Sequence, residues 1–212
     1  EGSVQNIFNL CRDSKNTRIA ISQEDVLSLY NSGNNEFFKV PRKNNDPVTH
    51  LGRLFYEEVY HIARKDITDD LTNTVHVGGA ESGSYATFTN YREKTYWNKK
   101  HLGNGIDLLV DSKISSLFIV TSTPDERLKS IPDFDNKYEL REIFLNDYRL
   151  LSFLPSSRAV ADSLSPSGHS FNTISIPAVL ICNRILPNNI AERIQIALSD
   201  ETILNDNFQE SK

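Results

Sequence analysis

The 212-residue chain contains no methionine and only two cysteines, Cys11 and Cys182. Small secreted domains held together by cross-links carry many more, so a disulfide framework is excluded and a reducing, cytoplasmic compartment is expected. No Cys-x-x-Cys or His-x-x-x-His pair occurs, so no residue is assigned as a metal ligand. Long apolar runs are missing as well. The strongest, residues 174–181, is interrupted by Pro177 and falls far short of the roughly 20 residues needed to span a bilayer. Nothing at the start resembles a signal peptide. A beginning of Glu1-Gly2-Ser3 fits a segment trimmed or released from a polyprotein. Excess positive charge is also absent. With a net charge of −5 and a pI near 5.6, bulk electrostatics do not attract a polyanion, and a nucleic-acid surface would have to be a local basic patch.

What is present suits one folded domain. Apolar residues make up 38% of the chain and recur in evenly spaced clusters, which argues against disorder. Residues 1–200 read as a single domain and 201–212 as a polar tail. Ser22 followed by acids predicts a helix over 22–33, with Val26, Leu27, Leu29 and Tyr30 buried and Gly33 ending it. Residues 36–40 read as a strand and 41–47 as a loop. Leu51, Leu54, Phe55, Val59 and Ile62 recur at helical spacing and predict an amphipathic helix over 49–64. Residues 74–77 form a β-branched run stopped by Gly78-Gly79, and a strand is expected around 94–97. Of 106–110 and 115–121, at least one reads as a central strand. Helices are expected at 124–130, 137–150, 158–164 and 189–198, and the last strands within 171–186. Helices alternating with buried strands predict an α/β fold, a Rossmann-like mixed sheet flanked by helices.

Two features stand out as chemistry. A strand that ends in Gly78-Gly79, with Gly83 beyond, lets a ligand approach the backbone, as in nucleotide or S-adenosylmethionine sites; it equally reads as an ordinary glycine turn. His50, just ahead of the expected helix, could act as a nucleophile or proton shuttle, or simply lie in solvent.

Together, Val48-Thr49-His50, Arg53, a following helix and Val75-His76-Val77-Gly78-Gly79 resemble the alphavirus-like capping enzymes, the viral methyltransferase–guanylyltransferases. The separation of His50 from Gly78, the run Glu36-Phe37-Phe38-Lys39-Val40 and the run Arg92-Glu93-Lys94-Thr95-Tyr96-Trp97 add to the likeness, which covers about residues 25–100. The resemblance implies N7-methylation of GTP and transfer of the methylated guanylate through a histidine to an RNA 5′ end. His50 would be the catalytic nucleophile. His76, Gly78, Gly79 and Gly83 would lie against S-adenosylmethionine, and Mg2+ would assist guanylylation. Arg53, Arg92, Tyr96 and Trp97, cations interleaved with rings, would bind substrate. Other viral replication proteins would be partners, in a host-cell cytoplasmic, membrane-associated complex. His76 stands where that family has an acid, and its Asp-x-x-Arg motif has no clean copy.

Two further readings stay open. One is a non-catalytic scaffold domain of a viral polyprotein that binds RNA or protein. The other is an ADP-ribosyltransferase-like domain, since Phe118-Ile119-Val120-Thr121-Ser122-Thr123 resembles that family's Ser-Thr-Ser element, with Arg64 and Glu201 as its charged partners. A strand followed by a helix cap before Pro124 accounts for the same residues. Asp69-Asp70 and Asp133-Phe134-Asp135 read as solvated turns, and His61 as a packed core histidine.

Overall fold

A computed structural model describes residues 2–12, 18–33, 38, 48–67, 74–91, 98–100, 103–122, 126–148, 154, 157–164 and 168–199, with only the backbone at 98–100 and 158–164. The elements run in the order α1 (Ser3–Arg12), β1 (Ile19–Gln23), α2 (Glu24–Asn31), β2 (Thr49–Arg64), β3 (Thr74–His76), α3 (Gly83–Thr89), β4 (Asn98–Lys100), α4 (Gly105–Val110), β5 (Ser116–Thr121), α5 (Glu126–Lys129), α6 (Phe134–Lys137), β6 (Tyr138–Leu140), β7 (Arg158–Leu164), β8 (Ser170–Cys182) and α7 (Asn188–Ser199). The expected mixed α/β architecture is what the chain adopts.

The strands make one sheet in the order β1-β8-β2-β5-β3-β4, with β6 also on β2 and β7 also on β8. The 16-residue β2 is its spine. Its first half pairs antiparallel with β8, from Thr49 opposite Cys182 to Glu58 opposite Ser175. Its second half pairs antiparallel with β5, from Glu58 opposite Thr121 to Ala63 opposite Ser116, and its end with β6. Strands β3, β4 and β5 are mutually parallel. Beyond β3 the chain crosses through α3 to β4 on one side, then returns through α4 to β5 on the other. Right-handed crossovers in opposite directions put the two helices on opposite faces.

Side-chain alternation along the strands feeds both faces. Phe118 and Val120 point into a core shared with Val4, Ile7 and Leu10 of α1, Val26 and Leu29 of α2, and Phe88 of α3. Leu117 and Ile119 point the other way, toward Leu109 of α4, Leu128 of α5, and Phe134. A smaller cluster of Leu51, Cys182 and Leu186 seats α7 through Ala191 and Ile194.

The main departure from the sequence reading is β2. Residues 49–64 form a strand rather than a helix. Register shifts between His50 and Gly52 and between Arg53 and Phe55 insert extra residues, so the strand's two-residue alternation is broken in sequence. Beyond them Val59 to Ala63 are all buried, because both faces are covered there. Leu51, Leu54, Phe55, Val59 and Ile62 thus fall at helical spacing by coincidence, while the Phe, Tyr, Val and Ile content suits a strand.

Other differences have similar causes. Of the two stretches offered for a central strand, 115–121 supplies it as β5, and 106–110 is the helix α4, capped by the Asn104 side chain, which accepts from the Ile106 N–H at 3.1 Å. Arg158–Leu164 is a strand, β7, paired with β8. Residues 137–150 contain strand β6 and a short 3-10 turn instead of one helix. The helix expected from Ser22 starts at Glu24, since Ser22 and Gln23 complete β1; the expected Val26, Leu27, Leu29 and Tyr30 are buried, and so is Asp25. Strand β5, the strands within 171–186 and the last helix fall where expected. The expected strands at 36–40 and 94–97, the loop at 41–47 and the tail at 201–212 lie outside the described residues.

At the centre, Phe118 is fully buried, with ring centroids 5.0 Å from Phe88, 6.0 Å from Tyr91 and 6.0 Å from His61. Truncating it leaves a void that this rigid cluster cannot close. Phe118→Ala is expected to cost about 3–5 kcal/mol. Phe144→Ala, at a half-exposed ring, should cost within about 0.5 kcal/mol. Urea unfolding of both variants checks the contrast, and equal losses would contradict this placement of the core.

Candidate functional site

In an open parallel sheet, the crevice for a ligand lies beyond the carboxyl ends of the strands, at the point where the connections change direction. Here that point is between β3 and β5. A cleft of about 1150 Å3 opens there, somewhat larger than the usual small-molecule site. One side is built by His76, Gly78, Ser82 and Gly83 after β3, together with the inner residues of β5. The other side is built by Gln23 at the end of β1 and by Phe55 and Glu57 on β2.

The glycine turn after β3 has specific geometric reasons. Gly78 has φ +76°, a left-handed conformation that side chains rarely adopt. The Gly79 carbonyl accepts from the Ser82 N–H at 2.9 Å, closing the turn. Ser82 then caps α3, its Oγ accepting from the Tyr85 N–H at 3.1 Å and donating to the Val77 carbonyl at 3.3 Å. Gly83 is closely approached: a Cβ there would meet Oε1 of Gln23, and the end of that side chain would have to move. No atom lies within 4 Å of a Cβ placed on Gly79.

Acidic groups dominate the electrostatics of the β1–β2 side. Glu57 accepts a hydrogen bond from Nε2 of Gln23 at 3.0 Å. Burial raises its carboxyl pKa, opposed by that hydrogen bond. Behind it Asp25, fully enclosed at the start of α2, accepts from the Thr87 hydroxyl at 2.6 Å and from the Val26 N–H at 2.8 Å. Burial pushes Asp25 up to about 7 in spite of those bonds, and the nearby Glu57 charge adds to the rise.

The residues singled out in the sequence divide. His76, Gly78 and Gly83 border the cleft. His76 is nearly buried, and its Nδ1 accepts from the Gly78 N–H at 3.3 Å. His50 and Arg53 do not border it. His50 begins strand β2 rather than preceding a helix, exposed, with its carbonyl accepting from Nε2 of Gln195 at 3.3 Å. The Arg53 guanidinium stacks over its neighbour Tyr56, 5.1 Å from the ring centroid. Arg92, Tyr96, Trp97 and Glu201 lie outside the described residues. Arg64 ends β2 in an ion pair with Asp66. His61 is a packed core residue as expected, though on a strand; burial, and then the Arg141 charge, lower its pKa to about 3. Among the described residues no cluster of three or more His, Cys, Asp or Glu side chains is arranged to hold a metal ion, and no helix is long and apolar enough to cross a membrane.

Sequence reasoning missed Gln23, Asp25 and Glu57. Gln23 and Asp25 flank a helix start, where polar residues are routine, and Glu57 sat on the polar face of a supposed helix. The available signal was two consecutive acids, Glu57-Glu58, within an aromatic, β-branched stretch.

No protein-family model matches the chain, and no curated protein matches it. Solved structures do resemble it. An ancestral arginine-binding protein bound to arginine superposes with a TM-score of 0.56 at 11% identity, over 98% of this chain and 76% of that one. The GluR0 ligand-binding core from Nostoc punctiforme in complex with L-glutamate gives 0.52 at 13% identity, over 99% and 79%. The amino acid ABC transporter substrate-binding protein AbpA from Streptococcus pneumoniae, bound to L-arginine, gives 0.53 at 9% identity, over 96% and 70%. The shared property is the fold. It overturns the resemblance to viral capping enzymes, and with it the assignment of methyl and guanylyl transfer to GTP and RNA. The likeness rested on a histidine before a helix, and residues 49–64 are a strand. The scaffold and ADP-ribosyltransferase-like readings fit this fold no better.

Asp25 has a testable consequence. Because its folded-state pKa is raised, the stability it contributes is fully present below the ordinary carboxyl value of 3.8 and is lost as pH rises through about 7. Asn at this position keeps an acceptor for the Val26 N–H and carries no charge. The unfolding free energy of Asp25→Asn relative to wild type is expected to rise between pH 4 and pH 8 by up to roughly 4 kcal/mol. Urea titrations at both pH values measure this, and an unchanged difference would contradict the buried acid.

Proposed function

We propose that this chain is a solute-binding domain whose cleft between β3, β5 and the β1–β2 side takes up a small polar molecule of the amino-acid class. The observation that carries the reading is the position of the cleft at the switch point between β3 and β5, in a fold resembling proteins bound to arginine and to glutamate. Its lining supports the same reading. Apolar surface from Phe55, Leu117 and Ile119 alternates with many polar side chains, Asn6, Gln23, Asn104 and Ser130 among them, which suits a small polar ligand.

Binding to the folded state alone stabilises it by mass action. A panel of L-amino acids, each at a hundredfold excess over its Kd, should include at least one that raises Tm by roughly 5–10 °C, confirmed by calorimetry. Ile119→Trp, which fills the cleft from β5, should fold and lose that binding. The reading fails if no amino acid binds at millimolar concentration, or if the Ile119→Trp variant binds as tightly as wild type.

A further inference from the structure

Resting on the reading of the cleft as an amino-acid site, we propose that Glu57 selects a ligand whose side chain carries a cation, an ammonium or guanidinium beyond the α-ammonium that every amino acid has, and that Gln23 and Gly83 are the residues that position it. Among the described residues, the charged side chains bordering the cleft are Glu57, Asp107, Glu126 and Arg127. Glu126 is already paired with Lys129 at 2.7 Å, and Asp107 stands in solvent on α4. Glu57 differs from both. It is half-buried, and its hydrogen-bond partner is the neutral amide of Gln23 rather than a cation. A buried carboxylate without a countercharge is costly, and a cationic ligand group supplies the missing charge.

The orientation of Gln23 strengthens the case. Its side chain is almost fully buried at the cleft border, and its backbone N–H is fixed by the Ser3 hydroxyl at 3.1 Å. Because the amide nitrogen is committed to Glu57, Oε1 is turned toward Gly83, buried and with no hydrogen-bond partner among the described residues. This side of the cleft therefore presents an acceptor, the Glu57 carboxylate, with the enclosed and unsatisfied Gln23 carbonyl behind it. Ammonium and guanidinium groups carry donors only. Gly83 leaves the space in which the Gln23 amide lies. Any side chain there displaces the amide and releases Glu57.

The test is calorimetry with L-arginine, agmatine, L-glutamine and L-glutamate on wild type, Glu57→Gln, Gln23→Ala and Gly83→Ala, with thermal melts to establish folding. L-arginine is expected to bind at least tenfold tighter than L-glutamine. Glu57→Gln should weaken arginine at least tenfold and leave glutamine unchanged. Agmatine matching arginine would show that the cation alone suffices; arginine binding without agmatine would show that the ligand's carboxylate is needed too. Gln23→Ala and Gly83→Ala should each lower the arginine-to-glutamine affinity ratio without adding in the double variant, an effect on selectivity that a general loss of stability would not produce. If Gly83→Ala does not fold, Glu57→Gln decides. Glutamine or glutamate binding as tightly as arginine, or an unchanged arginine affinity in Glu57→Gln, would overturn cation selection and leave the amino-acid reading standing. No binding of any of the four or of the wider panel would overturn both.

Discussion

Strand β2 is hydrogen-bonded to three neighbours along 16 residues: β8 against its first half, β5 and β6 against its second. Near Glu58 the two halves meet, with Ser175 opposite on one edge and Thr121 on the other. The parallel group β3, β4 and β5 is thereby held in one sheet with the antiparallel group β1, β7 and β8. The cleft exists because of that junction. Its β1–β2 side comes from the antiparallel group and its glycine-turn side from the parallel group. A register slip of one residue in β2 would turn Glu57 away from Gln23 and put Tyr56 or Glu58 in its place. The hydrogen-bond ladder thus fixes the chemistry of the site as well as the core.

The sequence disclosed the glycine turn correctly, because Gly78 answers to a local backbone demand that is visible in a short window. Strand β5 and the burial along α2 were legible for the same reason: their patterns are short and unbroken. Residues 49–64 were not. Their apolar spacing reflects two register shifts and a two-sided core, and both depend on partners more than fifty residues away in β5 and beyond one hundred in β8. Once that stretch is a strand, His50 loses the helix that made it resemble a nucleophile and becomes an exposed residue at a strand start. The functional misreading follows from the secondary-structure misreading.

Glycine 83 illustrates a second limit. In the sequence it extends a glycine-rich turn and suggests room for a cofactor. In the folded chain the room is taken by Gln23, sixty residues earlier. A glycine signals that something comes close, but not whether the visitor is a ligand or the chain itself. The same holds for Asp25, which reads as an ordinary acid in the first turn of a helix and is in fact enclosed, held by Thr87.

Two buried titratable groups pull stability in opposite directions. His61 is kept neutral by burial in the aromatic cluster, so the stability linked to it is present above the ordinary histidine value of 6.5 and lost as pH falls toward about 3. Asp25 is kept protonated by burial and loses its contribution as pH rises toward 7. His61 lies among Tyr91 and Phe118, away from the cleft lining, and nothing about its surroundings calls for charge. Asp25 adjoins Glu57 and Gln23, where charge could be used. An apolar residue at position 25 would avoid the cost of a buried carboxyl, so the acid is better explained by what stands in front of it than by the packing of α2. Protonated, it ties Thr87 and the start of α2 together behind Glu57 without reaching the ligand space itself. The polarity of this side of the cleft is therefore a property of three residues, Gln23, Asp25 and Glu57, that only the pairing of β1 and β2 with β8 brings together.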